Sequence, residues 1–406
     1  MSLTRRTLLA AAAAAAPVIA RAQGTPTLKI GCLTDMSGPY KDLAGPGAVA
    51  ALNQALLEYG VSGKGMKVEV LVADHLNKPD VGATVARQWF DRDGVDVIVE
   101  VANSGVALAV AGVAKEKNKV YLNTGAATSD LTGSACNTNT IHWVYDTYML
   151  AKSTGGAMVK TGGDSWFFIT ADYAFGKALQ RDTTDFVIGA GGKVLDGVAY
   201  PFPGTSDFSS YLIQAQASGA KVLGMANAGT DTINTIKQAK EFGITNKMRL
   251  AGLLLFLTDI HSLGLDIAQG IVLTDSFYWD MNDRARAFSN RLSPKIGGAR
   301  PTMVQAGVYS AVLHYLKTAT AMGVDKVKLD GAATVAEMKK LPTDDDCFGP
   351  GSIRADGRKL HPAYLWEVKK PSESKGPWDY YKPLATTPAD QAFRPLDKGG
   401  CPMVKS

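Results

Sequence analysis

Ser104 stands at the junction between a short apolar run, Val95–Val99, and a helical pattern, Ser104–Lys115. A hydroxyl and free backbone N–H groups at the positive end of a helix are suited to meeting an anion. Asn103 directly precedes it. Ala126-Ala127-Thr128 forms a second loop, of small residues that let a ligand reach the backbone. Tyr173 opens a third helical pattern, where its ring can cover a bound molecule and its hydroxyl can close onto it. Asn227, Thr230 and Asp231 share another loop, and Gly252–Leu257, which holds Phe256, contains no acid at all. Asp231, on the loop with Asn227 and Thr230, is an acidic substitute, and it reads equally well as an acid in the first turn of a helix. Aromatic residues gather in the segments Trp143, Tyr145, Tyr148 and Phe277, Tyr278, Trp279, although aromatics also dominate ordinary cores.

Catalysis finds no support in these patterns. His75, His142, His261, His314 and His361 form no H-E-x-x-H or i, i+4 pair. There is no G-x-S-x-G elbow and no P-loop. The sequence therefore implies neither an enzyme nor a cofactor. Asp344-Asp345-Asp346 lacks the spaced oxygens of a calcium loop and reads as a solvated turn. A secreted hydrolase is the enzymatic alternative.

The elements that must position these residues alternate along the chain. Strand patterns at Leu28–Thr34, Val68–Ala73, Val95–Val99 and Val120–Asn123 are separated by helical ones at Ala44–Tyr59, Val81–Asp91 and Ser104–Lys115. The series restarts with strands at Trp166–Thr170, Gly192–Ala199, Val222–Met225, Arg249–Gly252 and Ile271–Asp275. Helices at Ala174–Ile188, Ser209–Ala217 and Asp231–Phe242 lie between the first four of them. Two blocks of this kind predict an α/β protein with two doubly wound parallel-sheet lobes. Helical patterns at Asp283–Leu292 and Val304–Met322 have no sheet of their own and should return to the first lobe. The strand-like Tyr364–Val368 should join the second. The expected division is 23–142 plus 277–347 for lobe one and 143–276 plus 348–406 for lobe two, with a three-segment hinge. Thr124–Asp146, rich in small polar residues, is the first candidate hinge.

The 406 residues are 46% hydrophobic and 20% charged, which excludes a disordered chain and a multispanning membrane protein. The formal charge of +5 owes three units to Arg5, Arg6 and Arg21, near an apolar run from Leu8 to Ala20. That run is too short to span a bilayer of roughly 30 Å. With Ala20-Arg21-Ala22 behind it, it reads as a cleaved signal peptide, residues 1–22, giving a mature start near Gln23 and export to the periplasm. The paired arginines suggest the twin-arginine route, with ordinary secretion as the alternative. No basic block appears downstream, so no nucleic-acid partner is implied. Four cysteines without a C-x-x-C argue for an oxidising compartment and against a zinc site. Cys32 should be a buried free thiol. Cys136–Cys401 is the expected disulfide with Cys347 free, and Cys347–Cys401 is the alternative; either would fasten the tail.

The order of elements resembles the leucine/isoleucine/valine-binding family of periplasmic solute receptors, with the type I binding-protein fold. The resemblance spans essentially the whole chain behind the signal. It is carried by Ile30-Gly31 with Thr34-Asp35-Met36-Ser37-Gly38, by Val101-Ala102-Asn103-Ser104, by Asn123–Thr132 and by Asp172-Tyr173-Ala174-Phe175-Gly176. It implies a monomeric clamshell that delivers a small solute to an inner-membrane ABC permease; a signalling receptor is the alternative partner. It assigns Ser104, Ala126 and Thr128 to a ligand carboxylate, with Asn103, Tyr145, Tyr173, Asn227, Phe256 and Tyr278 as further binding candidates. Amino-acid-binding members pair the ligand ammonium with an acid from lobe two, and the Phe256 loop lacks one. An unpartnered buried ammonium costs several kcal/mol. The expected ligand is therefore an apolar carboxylate, most simply an aromatic acid of benzoate or phenylpropenoate type. The tail Lys375–Tyr381 and Ala126-Ala127-Thr128 resemble aromatic-acid receptors. The alternative is a branched-chain amino acid or small amide.

Overall fold

The structure, a computed structural model, describes residues 25–404. The signal-peptide reading of residues 1–22 and the start near Gln23 lie outside them. Lobe one is built on β1 (Thr27–Thr34), β2 (Lys67–Asp74), β3 (Val97–Glu100), β4 (Val120–Asn123) and β5 (Thr140–His142). These pair in the order β2-β1-β3-β4-β5, all parallel. Lobe two holds β6 (Ser165–Ala171), β7 (Lys193–Tyr200), β8 (Val222–Ala226), β9 (Arg249–Gly252), β10 (Val272–Asp275), β11 (Ala363–Val368) and β12 (Tyr381–Thr387). Their order is β12-β11-β10-β9-β8-β6-β7, with β11 antiparallel to both neighbours.

Alternation along each strand divides the two faces of each sheet. Ile30, Cys32, Val97 and Val99 pack with Ala48, Leu52 and Met303 on one side, while Leu33, Ile98 and Tyr121 meet Ala86, Val106 and Val110 on the other. A strand covered on both faces must be apolar throughout, which is why β3 and β4 are buried at every residue. Gly31 is required in β1 because the Trp89 ring occupies its side-chain position, 2.4 Å from where a Cβ would stand. The helix Met303–Met322 begins at a reciprocal Thr302/Gln305 cap and packs on β3 and on the helix Gly45–Tyr59. Both late helices thus return to lobe one.

Sequence periodicity missed β5 and β12. Three residues carry no period, and β12 is a largely exposed edge containing Pro383, where apolar patterning is not demanded. The expected helix Val81–Asp91 runs Pro79–Gln88 and widens into a π turn, Trp89–Asp93, before left-handed Gly94.

The lobes meet through crossovers after β5, after β10 and before β11. Arg358, fully buried, holds two of them together: its guanidinium donates to the Val144 carbonyl and to Asp146 Oδ2 at 3.3 Å. Backbone bonds run alongside, from His142 to Gly357 at 2.9 Å and from Lys359 to His142 at 3.0 Å. Asp344-Asp345-Asp346 is a solvated turn only in part: Asp344 is exposed, Asp346 half-buried and Asp345 buried. Buried Asp345 accepts from Ser310 Oγ at 2.6 Å and from the Cys347 and Phe348 N–H groups, while Asp344 and Asp346 pair with Arg284. Charged side chains here are tied down because a buried acid without donors is too costly.

Cys136 and Cys401 form a disulfide, and Cys32 and Cys347 are free and buried. This is the expected pairing, and it fastens the tail. Beyond β12 the chain leaves lobe two, places Arg394 against Ser129 at 2.8 Å and ends on a lobe-one loop. Three crossovers are therefore supplemented by a fourth, covalent link.

A non-reduced digest should yield one peptide pair containing Cys136 and Cys401; a Cys347–Cys401 pair would overturn the pairing. Cys401→Ser should lower stability by about 2–5 kcal/mol in denaturant titration. The hinge also predicts a pH effect. Burial pushes Asp275, whose carboxylate accepts from Phe277 N–H at 3.0 Å, up to about 8. The native state then holds a proton that the unfolded chain releases in the ordinary carboxylate range, so this group costs stability increasingly as pH rises toward 8. Asp275→Asn should raise the melting temperature at pH 8 and leave it nearly unchanged at pH 4.

Candidate functional site

In each lobe the strand order reverses once. It does so between β1 and β3 in lobe one, and between β6 and β8 in lobe two. Loops leaving the carboxyl ends of strands at such a reversal diverge and open a crevice, the preferred ligand position of α/β sheets. The two reversals face each other. Pro39, after β1, accepts from Thr230 N–H at 3.2 Å, after β8, and the Tyr40 and Tyr173 hydroxyls meet at 2.5 Å. Phe202 covers the outer edge, its ring centroid 4.3 Å from Tyr173 and 5.6 Å from Tyr40.

Between these contacts lies a small cavity of about 10 Å³. Lobe one and the first crossover contribute Tyr40, Leu43, Ala102, Gly125, Ala127 and Tyr145. Lobe two contributes Tyr173, Phe175, Ala228, Leu254 and Phe256. Five of these eleven are aromatic, and none carries an ionisable acid or base of the Asp, Glu, Lys, Arg or His type.

Tyr145, Tyr173 and Phe256, singled out from the sequence, are brought together in this wall. Tyr145 donates to Gly125 O at 2.5 Å and meets the Phe256 ring edge-on at 5.9 Å. Ser104, Thr128, Asn103 and Ala126 lie one layer behind. Ser104 Oγ accepts from Thr128 N–H at 3.2 Å, joining the two small-residue loops. Asn103 caps the helix Ser104–Glu116 through Val106 N–H at 3.0 Å and donates to Asn77 Oδ1. Asn77 in turn donates to Asp35, which accepts from the Gly38 and Tyr40 N–H groups at 2.6 and 2.8 Å. Asn103 is thereby linked to the loop that carries Tyr40. Ala126 is hydrogen-bonded through its backbone to the Asn123 amide, and its neighbours Gly125 and Ala127 line the cavity instead.

Asn227 bonds Thr232 and Thr235 within its own helix start, while Ala228 lines the cavity. Asp231 accepts from Tyr200 OH at 2.7 Å behind the wall, and burial lifts it to about 6. Tyr278 is elsewhere: it donates to Trp378 O at 3.0 Å and packs on Trp366 and Tyr381 in the core of lobe two. Aromatic character alone could not separate Tyr278 from Tyr145. The sequence reading also missed Tyr40, Leu43, Leu254 and Ala228; Leu254 and Ala228 closely follow strand ends, which was the available signal, whereas Tyr40 and Leu43 lie farther along the loop after β1.

Comparison with known proteins agrees with this geometry. Residues 27–377 match the periplasmic binding protein family. The chain belongs to that family. A periplasmic binding protein from Burkholderia mallei is 49% identical with a TM-score of 0.90, covering 94% of this chain and 100% of that one. A branched-chain amino acid ABC transporter periplasmic ligand-binding protein from Burkholderia xenovorans is 40% identical with a TM-score of 0.80, covering 93% and 99%. A solute-binding protein from R. palustris, solved with benzoate, shares the fold at 20% identity and a TM-score of 0.81, covering 93% and 99%. This chain is accordingly a periplasmic solute-binding protein of the ABC-transporter type. Among the described residues no helix is long and apolar enough to cross a membrane.

Gly229 tests lobe closure. Its φ is +61°, and a Cβ there would stand 2.4 Å from Pro39 O in the facing lobe. Gly229→Ala should hold the cleft open, abolish solute-induced compaction in X-ray scattering, and weaken solute binding by roughly tenfold or more, on the order of 1.4 kcal/mol. Unaltered compaction would show that this contact does not form on closure.

Proposed function

We propose that this receptor closes over a small apolar carboxylate, an aromatic acid of benzoate or phenylpropenoate type, and hands it to an ABC permease. The observation that carries this reading is the cavity wall: five aromatic rings and no acidic side chain to pair with an ammonium. A buried ammonium lacking a partner costs several kcal/mol, whereas an aromatic ring gains from edge and face contacts with Tyr145, Tyr173 and Phe256.

In this reading the ligand carboxylate lies toward Ala102, Gly125 and Ala127, near the amino end of the helix Ser104–Glu116. Small residues there allow close backbone approach, and the helix end favours negative charge. Tyr40 and Tyr173 hold two hydroxyl protons and need only one between them, which leaves one to donate to the ligand. Because the wall draws on both lobes, a ligand gains more contacts in the closed state, and that difference in affinity drives closure. The benzoate complex of a fold relative is consistent with such a ligand. A branched-chain amino acid is the second reading, favoured by the description of the 40%-identical relative.

Calorimetry with benzoate, cinnamate and leucine separates the two. Benzoate or cinnamate should bind and leucine should not; leucine binding without any aromatic acid would reverse the assignment. Ser104→Ala, which releases the Thr128 N–H and loosens the paired loops, should weaken carboxylate binding by roughly 1–3 kcal/mol. An unchanged affinity would remove Ser104 from the binding apparatus.

A further inference from the structure

Glu100, the last residue of β3, is fully buried, and neither of its carboxyl oxygens makes a hydrogen bond of ordinary geometry among the described residues, although the Thr34 hydroxyl and the Val101 and Ala102 N–H groups lie close by. It sits in strained backbone: φ is +84° at Glu100 and +69° at Val101, a region that non-glycine residues, and β-branched ones above all, rarely enter. Such strain persists only where the surrounding structure enforces it, and it concentrates at functional sites. The strained pair leads directly into Ala102, in the cavity wall. Across from it, a Cβ at Gly125 would stand 2.1 Å from Glu100 Oε1 and 2.8 Å from the Ala102 Cα. The carboxyl therefore fills the space beside Gly125 and Ala102, one backbone layer from the cavity that both residues line.

We propose that Glu100 makes capture of an anionic ligand proton-dependent: the cleft accepts a carboxylate only while the Glu100 carboxyl carries its proton. The inference rests on the reading above, that the anionic end of the ligand lies against this pair of loops. Two carboxylates separated by one backbone layer, in a site closed to water, repel strongly, so one of them must be neutral. Where Glu100 is ionised, binding takes up one proton from solvent.

Among the described residues, no cation is one of the main influences on Glu100. Facing Glu100 are Cys32 and Asp35 from β1 and its loop, Tyr121 from β4, and Tyr145 from the first crossover. The helix Met303–Met322, packed on β3, has Tyr309, His314 and Tyr315 among its buried residues. Tyr309 bonds Glu58 and His314 bonds Met338 O. Burial pushes Glu100 up to about 8, with the nearby Thr34 hydroxyl and the Val101 and Ala102 amides offsetting part of that and Asp35 adding to it.

The test is benzoate and leucine binding by calorimetry between pH 6 and 9, on the full chain and on Glu100→Gln. The expected result is a benzoate affinity that is level to about pH 7 and then falls, approaching tenfold per pH unit, with a flat profile in E100Q. Asp275 and Lys359 are also poised near 8, and the variant separates their effect from that of Glu100. If E100Q fails to fold, the unaltered protein decides. Calorimetry in two buffers of different ionisation enthalpy should show proton uptake rising from near zero at pH 6 toward about one per benzoate at pH 9. A flat profile, or an equal fall in both proteins, overturns the proposal while leaving an aromatic ligand intact. Binding of leucine alone overturns the aromatic reading. The leucine profile then decides the proposal: a fall that E100Q abolishes supports it, and a rise as Glu100 ionises, showing the acid pairing with the ammonium, overturns it.

Discussion

One buried guanidinium organises the region between the lobes. Arg358 has no exposure to water, and its charge is answered by Asp146 and by the Val144 carbonyl, both on the first crossover. Burial draws Arg358 down to about 10 and pushes Asp146 up, each countered by the other. The pair need not add net stability, since desolvation consumes most of the attraction. What it supplies is register. Asp146 also caps the turn that enters lobe two, at Met149 N–H, so the same carboxylate fixes where one lobe ends and the next begins. With that junction set, the strand-order reversals of the two sheets come face to face.

The cleft depends on a division between small and aromatic residues. Lobe one offers Ala102, Gly125 and Ala127, whose short side chains bring backbone to the surface. Rings from both lobes and the first crossover enclose the rest. Close approach is enforced as well as permitted: Gly125 leaves room for the Glu100 carboxyl, and Gly229 leaves room for the Pro39 carbonyl across the cleft. Neither glycine could be replaced without moving backbone or a buried acid. Behind the wall, Asn103, Asn77 and Asp35 form a polar chain that aligns the Tyr40 loop with the helix start. The residues that line the cavity and those that support them from behind are thus adjacent in sequence and distinct in position.

The alternation of apolar runs was legible because a buried parallel strand must be apolar at every position and a covering helix on one side only. β1, β4 and the helix Ser104–Glu116 were readable almost to the residue. Where no burial constraint acted, at β12 and at the three residues of β5, there was nothing to read. The site was half legible. Strand ends and helix starts pointed to the correct loops, and Tyr145, Tyr173 and Phe256 face the cavity as expected, but in three loops the cavity-facing residue is the neighbour of the expected one: Ala127 beside Ala126, Ala102 beside Asn103 and Ala228 beside Asn227. Loop side chains have no period, so composition identifies the loop and geometry chooses the residue.

By itself, then, the sequence determined two doubly wound lobes, helices that return to the first of them, a cleft at the strand ends and a site short of acids. The first three follow from local burial patterns and from the position of strand ends; the shortage of acids emerges only when the Phe256 loop is set beside the family the chain resembles. Tertiary structure alone decided that Tyr278 belongs to a core and Tyr145 to the cavity, and that Glu100 is lodged beside Gly125. These depend on which surfaces meet after folding, and residues such as Tyr40 and Tyr173, 133 positions apart, carry no local sign of the contact they will make.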